Sequence, residues 1–542
     1  MKKKVASNKG NNVSINNASK VINRREAISK LAAVSTGLGI AVIAAGVGGY
    51  LAGTQTAPVK TVERTVTAPV AEKTVTVERT IEKTVTATGT PVTTSVTTSP
   101  AMPVEELVLS KLKELEPKTP VTLRCWALSD VPMDPVIAAF NEVFPNVKIT
   151  KTASDDEVAL MSALRTGAEV YDVLRVQLYT IPTLASLGLL EDISQYIIPE
   201  LVNGIPDWAL ASSTGGLGDI GKTWFAVPQD VGPCLHAYRK DIFSKFGLDP
   251  PRTWEEYAEA ARKIHKMDSN VYITAADTTV FFGQIITSYM QQVDGGIARP
   301  VGKGQFEIIL DSPQNRRVAE YWGELIDEGL LLLAAGFSDE WIRAVKEDKL
   351  ASIPWGAAWV PGFVLKGVFP EQAGKWELVD VPQWKDAKRF VAYNCGGSAL
   401  AVTKTAIDVK AATLFAQWIT QATKAVELSW QYPGIWPANV KRLREVKAFH
   451  EPWDYFGGKS ISGPYIKAQE SIAPENVVAV YGQPFWQPYI GLIPKYLGDA
   501  AAGKFPWSEL FTRLTDELIR AVEDMGFEVK NVDGKLIASK VS

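Results

Sequence analysis

The chain has very little cysteine and histidine, three of each in 542 residues. Three cysteines cannot build a disulfide framework. His236, His265 and His450 are too far apart for an H-x-x-x-H pair, so no cofactor and no metal centre of the histidine or cysteine kind is expected. Charge of one sign is also missing: 57 basic against 60 acidic side chains leave a formal net charge of −3. No global basic field exists to hold a phosphate backbone, and nucleic acid is not an expected partner. The G-x-S-x-G signature of a nucleophile elbow is absent, which leaves serine hydrolysis unsupported. What the chain does have is tryptophan, 16 residues beside 16 Tyr and 19 Phe, within an otherwise ordinary globular composition of 46% hydrophobic and 22% charged residues.

The first hundred residues read as something other than a fold. Residues 1–30 carry Lys2, Lys3, Lys4, Lys9, Lys20, Arg24, Arg25 and Lys30 against the single acid Glu26, a basic cytoplasmic tail. Leu31 to Gly53 is uncharged, and at ~1.5 Å per residue in a helix it exceeds the roughly 30 Å hydrocarbon core of a bilayer. The basic residues all precede this 31–53 segment, so the positive-inside bias leaves the rest of the chain outside the cell behind a single N-terminal membrane anchor. Asn23 to Lys30 resembles a twin-arginine export signal without the usual Phe-Leu, and an ordinary signal anchor is the alternative reading. No clear A-x-A site follows, which favours retention as an anchor over cleavage. Residues 54–100 are threonine-rich, loosely repeated (KTVERTVT, EKTVTVERT) and without an aromatic residue, the composition of a disordered stalk. Residues 101–118 hold a connector helix with Leu107, Val108, Leu112 and Leu115 at helical spacing.

From residue 119 strand and helix patterns alternate. Val121–Ala127 and Val147–Thr150 alternate as strands, and Pro135–Phe144 between them has helical spacing. Ser154 with Glu157 reads as a capping box for a helix through Arg165. Tyr171–Val176 is a third strand, followed by a helix over Ile181–Leu190. Such alternation predicts an α/β fold with a parallel sheet covered on both faces, and ligands of such sheets sit at the carboxyl ends of the strands, here Trp126, Ser129, Asp130, Asp155 and Gln177.

The blocks FNEVFPNVKI, ALRTGAEVYDVLRV, LASLGLLEDIS, GKTWFAVPQDVGPCLHAYRKDIFSKFGLDPPRTWEEYAEAARKI, DKLASIPWGAAWVPGF, NCGGSALAVTKTAIDVKAATLFAQWIT and YPGIWPANVKR, in this order over about residues 119–445, resemble the extracellular solute-binding proteins of family 1. These are the maltose- and oligosaccharide-binding receptors of ABC importers. The resemblance implies a periplasmic-binding-protein-like fold of two lobes with hinge crossings at Pro228–Arg239 and Ala392–Val402 and a third near Trp430–Pro437. It implies a solute-binding domain over 119–542, with lobe one at about 119–230 plus 396–425 and lobe two at about 236–392 plus 426–540. The tail after residue 445, rich in YGQPFWQPY, matches none of these blocks and is expected to pack on lobe two. The resemblance implies a monomeric receptor that delivers a sugar or oligosaccharide to ABC transporter permease subunits and is not an enzyme, and the 31–53 span read above would anchor it in the membrane.

Sugar rings expose C–H faces that stack on flat aromatic surfaces, and their hydroxyls need polar partners, which gives the tryptophans a role. The aromatic candidates are Trp126, Trp224, Trp355, Trp359, Tyr393, Trp430, Tyr432 and Trp436, with Trp359 and Trp436 foremost because their blocks line the cleft in the family. The polar candidates are Asp130, Asp155, Gln177, Asp230 and Asn394. For each, core packing or a helix cap is the competing reading. Trp254 is set aside, because in PRTWEEY it should staple a helix start under a Thr253 cap.

Gly216 to Thr223 (GLGDIGKT) matches the phosphate-cradling G-x-x-x-x-G-K-[ST]. Its context fails: ALASST before it is no buried strand, and WFAVP after it is β-like and stops at Pro228, so Gly221-Lys222 reads as a hairpin turn. A glycosidase would need two paired carboxylates, and nothing pairs Asp130, Asp155, Asp230 or Asp277. A stalked lectin-like surface protein accounts for the anchor and the tryptophans but not for the crossing motifs. Cys125, Cys234 and Cys395 fall in the first strand and the two crossings, where reduced, buried thiols are expected.

Overall fold

The computed structural model describes residues 104–129, 133–214, 223–431 and 435–541. The tail, the uncharged span, the threonine-rich stretch, Asp130, Tyr432 and all but the last residue of the GLGDIGKT motif lie outside them. Among the described residues no helix is long and apolar enough to cross a membrane. The connector helix runs over Val104–Lys113 and seats Val108 and Leu112, one turn apart, in the first core of the protein.

The strands in chain order are β1 (Val121–Ala127), β2 (Val147–Ala153), β3 (Val173–Gln177), β4 (Ala226–Arg239), β5 (Ala275–Ala276), β6 (Ala298–Gly302), β7 (Gln305–Ile308), β8 (Leu332–Leu333), β9 (Ser352–Ala357), β10 (Trp376–Val379), β11 (Asn394–Val402), β12 (Phe527–Val532) and β13 (Lys535–Lys540). The main sheet has the order β10-β4-β11-β3-β1-β2, with β9 also paired to β4. β1 pairs in parallel with β2 and β3, as the alternating pattern requires. β11 then returns antiparallel between β3 and β4.

Two strands are long enough to serve both lobes. The first half of β4, Ala226–Val231, pairs with β11 in lobe one, and its second half pairs with β9 and β10 in lobe two. The expected stop at Pro228 does not occur, because β4 runs on through both Pro228 and Pro233 to Arg239. Each proline lies opposite an irregularity of β11: Pro228 faces Ala399 beside one register shift, and Pro233 faces Asn394 beside the other. A residue without an N–H is tolerated where the ladder is already broken. A third chain segment joins them, since Val231 N donates to Trp436 O and Ala438 N to Gln229 O.

At this junction the backbones nearly touch. A Cβ on Gly232 would lie 1.9 Å from the carbonyl oxygen of Cys395 and 2.8 Å from its carbonyl carbon. Neither is the movable end of a side chain, so Gly232→Ala has to part the crossing strands. The expected cost is about 3 kcal/mol or more of unfolding free energy, read from the urea midpoint. An unchanged midpoint would mean that the strands yield freely.

Lobe one is built around Phe140, Phe144, Leu123, Val173, Phe415 and Trp418, with the helix Asp134–Val143 laid against Val409–Gln421. The helix Glu157–Thr166 is capped by Asp156, whose carboxylate accepts from Ala159 N, and not by the expected Ser154–Glu157 box. Lobe two contains the helices Trp254–Met267, Val280–Tyr289 and Pro313–Asp327 around a cluster of Trp254, Tyr257, Tyr289 and Trp322. Trp254 begins its helix under a complete Thr253–Glu256 capping box and is buried.

The tail completes lobe two. β12 and β13 extend β7 and β6 into a four-stranded sheet, and the helix Trp486–Ala501 packs its Ile490 and Ile493 against Gly283. The tail also reaches lobe one. Tyr179 packs against Trp486 at 4.5 Å between ring centroids, and Thr183 Oγ1 donates to Pro484 O at 3.0 Å.

Candidate ligand-binding site

The carboxyl ends of β1 and β3 carry a polar shelf on lobe one. Ser129 N donates to Asp155 Oδ1 at 2.9 Å, which fixes the half-buried Asp155 beside β1. Gln177 ends β3 half-buried, and its backbone N–H donates to Glu157 Oε1 at 2.8 Å. The second oxygen of Glu157 accepts from Thr180 Oγ1 at 2.5 Å. Glu157 is thus a carboxylate aimed at the strand ends rather than back at its own helix. Gln487 of lobe two, itself half-buried, donates from Nε2 to Thr180 Oγ1 at 3.1 Å. The shelf therefore presents half-buried carboxylates and amides, groups that pair with sugar hydroxyls, tied together by the buried Thr180 hydroxyl.

Lobe two contributes aromatic surface beside the hinge. Trp355 on β9 is buried and meets Phe281 edge-on at 5.1 Å. Trp359 lies 5.9 Å from Trp355, tilted by 36°, and 6.4 Å from Phe363. Trp359, Phe281 and Phe363 all keep part of their surface exposed. The indole N–H of Trp359 donates to Cys395 O at 3.1 Å, which ties this group to β11 where the lobes meet. Beneath Phe281, Asp277 accepts from Thr279 N and Thr279 Oγ1, both at 2.7 Å, and from Gly336 N at 3.2 Å. Burial holds its carboxyl above the usual range despite these donors.

Between shelf and aromatics the crossing itself is polar. Asp230 accepts from the backbone N of Ser398 at 3.0 Å and from the Ser398 hydroxyl. Arg175, fully buried, donates from Nε to Gln229 Oε1 at 2.6 Å and stands 4.0 Å from Asp230. Asn394, also fully buried, accepts from Gly232 N at 2.8 Å, donates to Gly396 O at 2.8 Å and exchanges two hydrogen bonds with the Gln291 amide. Both predicted polar residues are committed to holding the crossing strands in register.

Of the residues singled out from the sequence, Asp155, Gln177 and Trp359 stand at the strand ends or in the half-exposed aromatic group, and Trp355 is buried beside Trp359. Trp126 is buried in β1, and Trp224 sits in the lobe-one core with its backbone N–H donating to Ser194 Oγ. Tyr393 is enclosed, its hydroxyl donating to Pro354 O at 2.8 Å. Trp436 is enclosed by Trp430, Phe449 and Tyr465, with its indole N–H on Gln469 Oε1 at 2.8 Å. A ring without a free face packs and does not stack on a ligand in this conformation. Asp130 lies outside the described residues. Glu157, Thr180, Phe281, Phe363 and Gln487 lie among these groups but are absent from the sequence-derived set. In the sequence Glu157 reads as half of a capping box, and Gln487 falls in the tail that matches none of the resemblance blocks.

The chain matches the model of bacterial extracellular solute-binding proteins over residues 128–425, more than half its length. It belongs to that family. Among curated relatives, the solute-binding protein is 23% identical over 317 residues to a lactose-binding protein of Rhizobium radiobacter, covering 55% of this chain and 66% of that one. It is 27% identical over 218 residues to an uncharacterized ABC transporter extracellular-binding protein of Pyrococcus horikoshii, covering 39% and 49%. The alignments thus span about two thirds or less of these relatives. Among solved structures, the ABC transporter associated binding protein of B. animalis subsp. lactis, in complex with β-1,6-galactobiose, superposes with a TM-score of 0.63 at 25% identity, over 75% of this chain and 99% of that one. The galacto-N-biose-/lacto-N-biose I-binding protein of Bifidobacterium longum gives a TM-score of 0.63 at 20% identity, over 76% and 99%. The two-lobe fold implied by the resemblance is therefore the fold of this solute-binding protein.

Proposed function

We propose that the protein binds a neutral sugar or oligosaccharide between its lobes and presents it to an ABC importer. The observation that carries this reading is the pairing of a half-exposed aromatic group on lobe two, centred on Trp359, with the Asp155–Glu157–Gln177 shelf on lobe one. Aromatic faces take the C–H surface of a pyranose, and the carboxylates and amides take its hydroxyls. Galactosides are the first ligands to test, because lactose, galactobiose and lacto-N-biose appear in the names of similar proteins. Lobe closure about β4 and β11 traps the sugar. The uncharged segment 31–53 holds the receptor in the membrane of its transporter, at high effective concentration. The receptor works as a monomer outside the cell, and its sugar leaves unaltered.

The test is a thermal-shift panel of the full-length protein against lactose, other galactosides and maltose, with the added sugar recovered and checked by chromatography. A sugar present at 100 times its Kd stabilises the protein by about 2.7 kcal/mol. Intact sugar with a raised midpoint is the expected result. Cleaved sugar would turn the reading to a glycosidase, and a panel without any shift would remove the carbohydrate assignment.

A further inference from the structure

The two long crossing strands carry one cysteine each. Asn394 of β11 pairs with Pro233 of β4, and Cys234 N donates to Tyr393 O at 2.9 Å, so Cys234 and Cys395 sit one step to either side of that pair. Side chains two apart on a strand share a face, which puts the two thiols on one side of the ribbon, diagonally across it. Both are free and buried, and the Cys234 thiol donates to Gly232 O at 3.5 Å, the residue whose backbone meets Cys395. The close backbone approach of Gly232 to Cys395 draws the two strands together at this point of the pivot between the lobes. Cys125 takes no part, since its side chain faces the lobe-one core on the far side of the sheet.

We infer that Cys234 and Cys395 form a redox-sensitive cross-link of the hinge, open as two thiols and closed as a disulfide that fixes β4 to β11. The co-reactant is a small external disulfide. The thiolate of one cysteine attacks it and expels one thiol, and the second cysteine then displaces the other, giving the Cys234–Cys395 bond, two reduced thiols from the reagent and no net change in atoms. Cys395 is the attacking group, because the neighbouring Cys234 side chain lowers its pKa, whereas burial raises the Cys234 thiol. The reagent reaches the pair only when the crossing strands part, so the reaction rate reports hinge opening. This inference is independent of which ligand the cleft takes.

The experiment incubates the full-length protein with oxidised glutathione, counts thiols after denaturation and maps the bridged peptide by mass spectrometry. One free thiol instead of three is expected, with Cys234 joined to Cys395 and reversal by dithiothreitol. Amide hydrogen exchange at Cys234 and Gly397 should slow at least tenfold in the oxidised form. Cys234→Ser and Cys395→Ala, prepared separately so that one poorly folded variant does not decide the matter, should show no such slowing. Three remaining thiols, a bridge that includes Cys125, or a correct bridge with unchanged exchange would each overturn the inference.

Discussion

Trp359→Ala is expected to weaken sugar binding about 30-fold, while Trp436→Ala leaves affinity nearly unchanged and destabilises the protein instead. The reason is where each ring spends its surface. Trp359 keeps part of its face exposed beside Phe281 and Phe363 and is oriented by one hydrogen bond to Cys395 O. Truncating an aromatic anchor in a binding site costs about 2 kcal/mol, which is roughly 30-fold in Kd. Trp436 is fully enclosed and its N–H is satisfied by Gln469. Its removal leaves a cavity and an unpaired buried amide, at a cost of about 3–5 kcal/mol of stability. Calorimetric titration of the sugar identified by the panel, alongside urea unfolding of both variants, separates the two effects. If Trp436→Ala loses affinity as strongly as Trp359→Ala at equal folded fraction, the placement of the ligand face at Trp359 fails.

His236→Leu is expected to make the protein more resistant to acid. His236 lies on β4 inside lobe two, fully buried among Tyr238, Phe243 and Tyr257, and among the described residues neither ring nitrogen has a hydrogen-bond partner. Desolvation of the imidazolium pushes its pKa down to about 3 from the usual 6.5. The unfolded chain therefore takes up a proton below pH 6.5, and the folded chain does not until about pH 3. Stability is complete above pH 6.5 and falls as the pH drops from there toward 3, by at most about 1.4 kcal/mol per unit, or roughly 3 kcal/mol by pH 4. Leucine has no proton to take up and no unpaired nitrogen to bury. The difference in unfolding free energy between variant and parent should thus widen by roughly that amount between pH 7 and pH 4. Urea titrations at the two pH values decide it, and parallel losses in parent and variant would show that other groups drive the acid response.

Lobe one was legible in the sequence because its signals are local. β1 matches the predicted Val121–Ala127, and the helix read at Pro135–Phe144 is found at Asp134–Val143, since each rests on a short unbroken period of two or of 3.6. The helix read at Ile181–Leu190 stops at Ser186, cut short by a turn through Gly188 at φ +71°. The course of β4 past Pro228 could not be read from β4 alone, because the irregularities that accommodate its prolines belong to a strand more than 160 residues later. The site shows the same divide. Residue type pointed to tryptophan, but whether a given ring is enclosed or keeps a face depends on partners such as Gln469 for Trp436 and Cys395 for Trp359, which no spacing encodes. Gln487 and Glu157 meet at Thr180 from positions more than three hundred residues apart.

The placement of β11 between β3 and β4 also sets a timetable for synthesis. When β1, β2 and β3 have left the ribosome, the strand that covers the free edge of β3 is still roughly 220 residues away, which at 5–20 residues per second is roughly 10–45 s. For that interval the edge of β3, Val173 to Gln177, has unpaired backbone groups, a template for wrong pairing with another chain. Lobe one, although it comes first, cannot close its sheet until most of lobe two has been made. The nascent chain therefore spends most of its synthesis in a form that a chaperone or an export machine can hold, and the two lobes reach their folded state together.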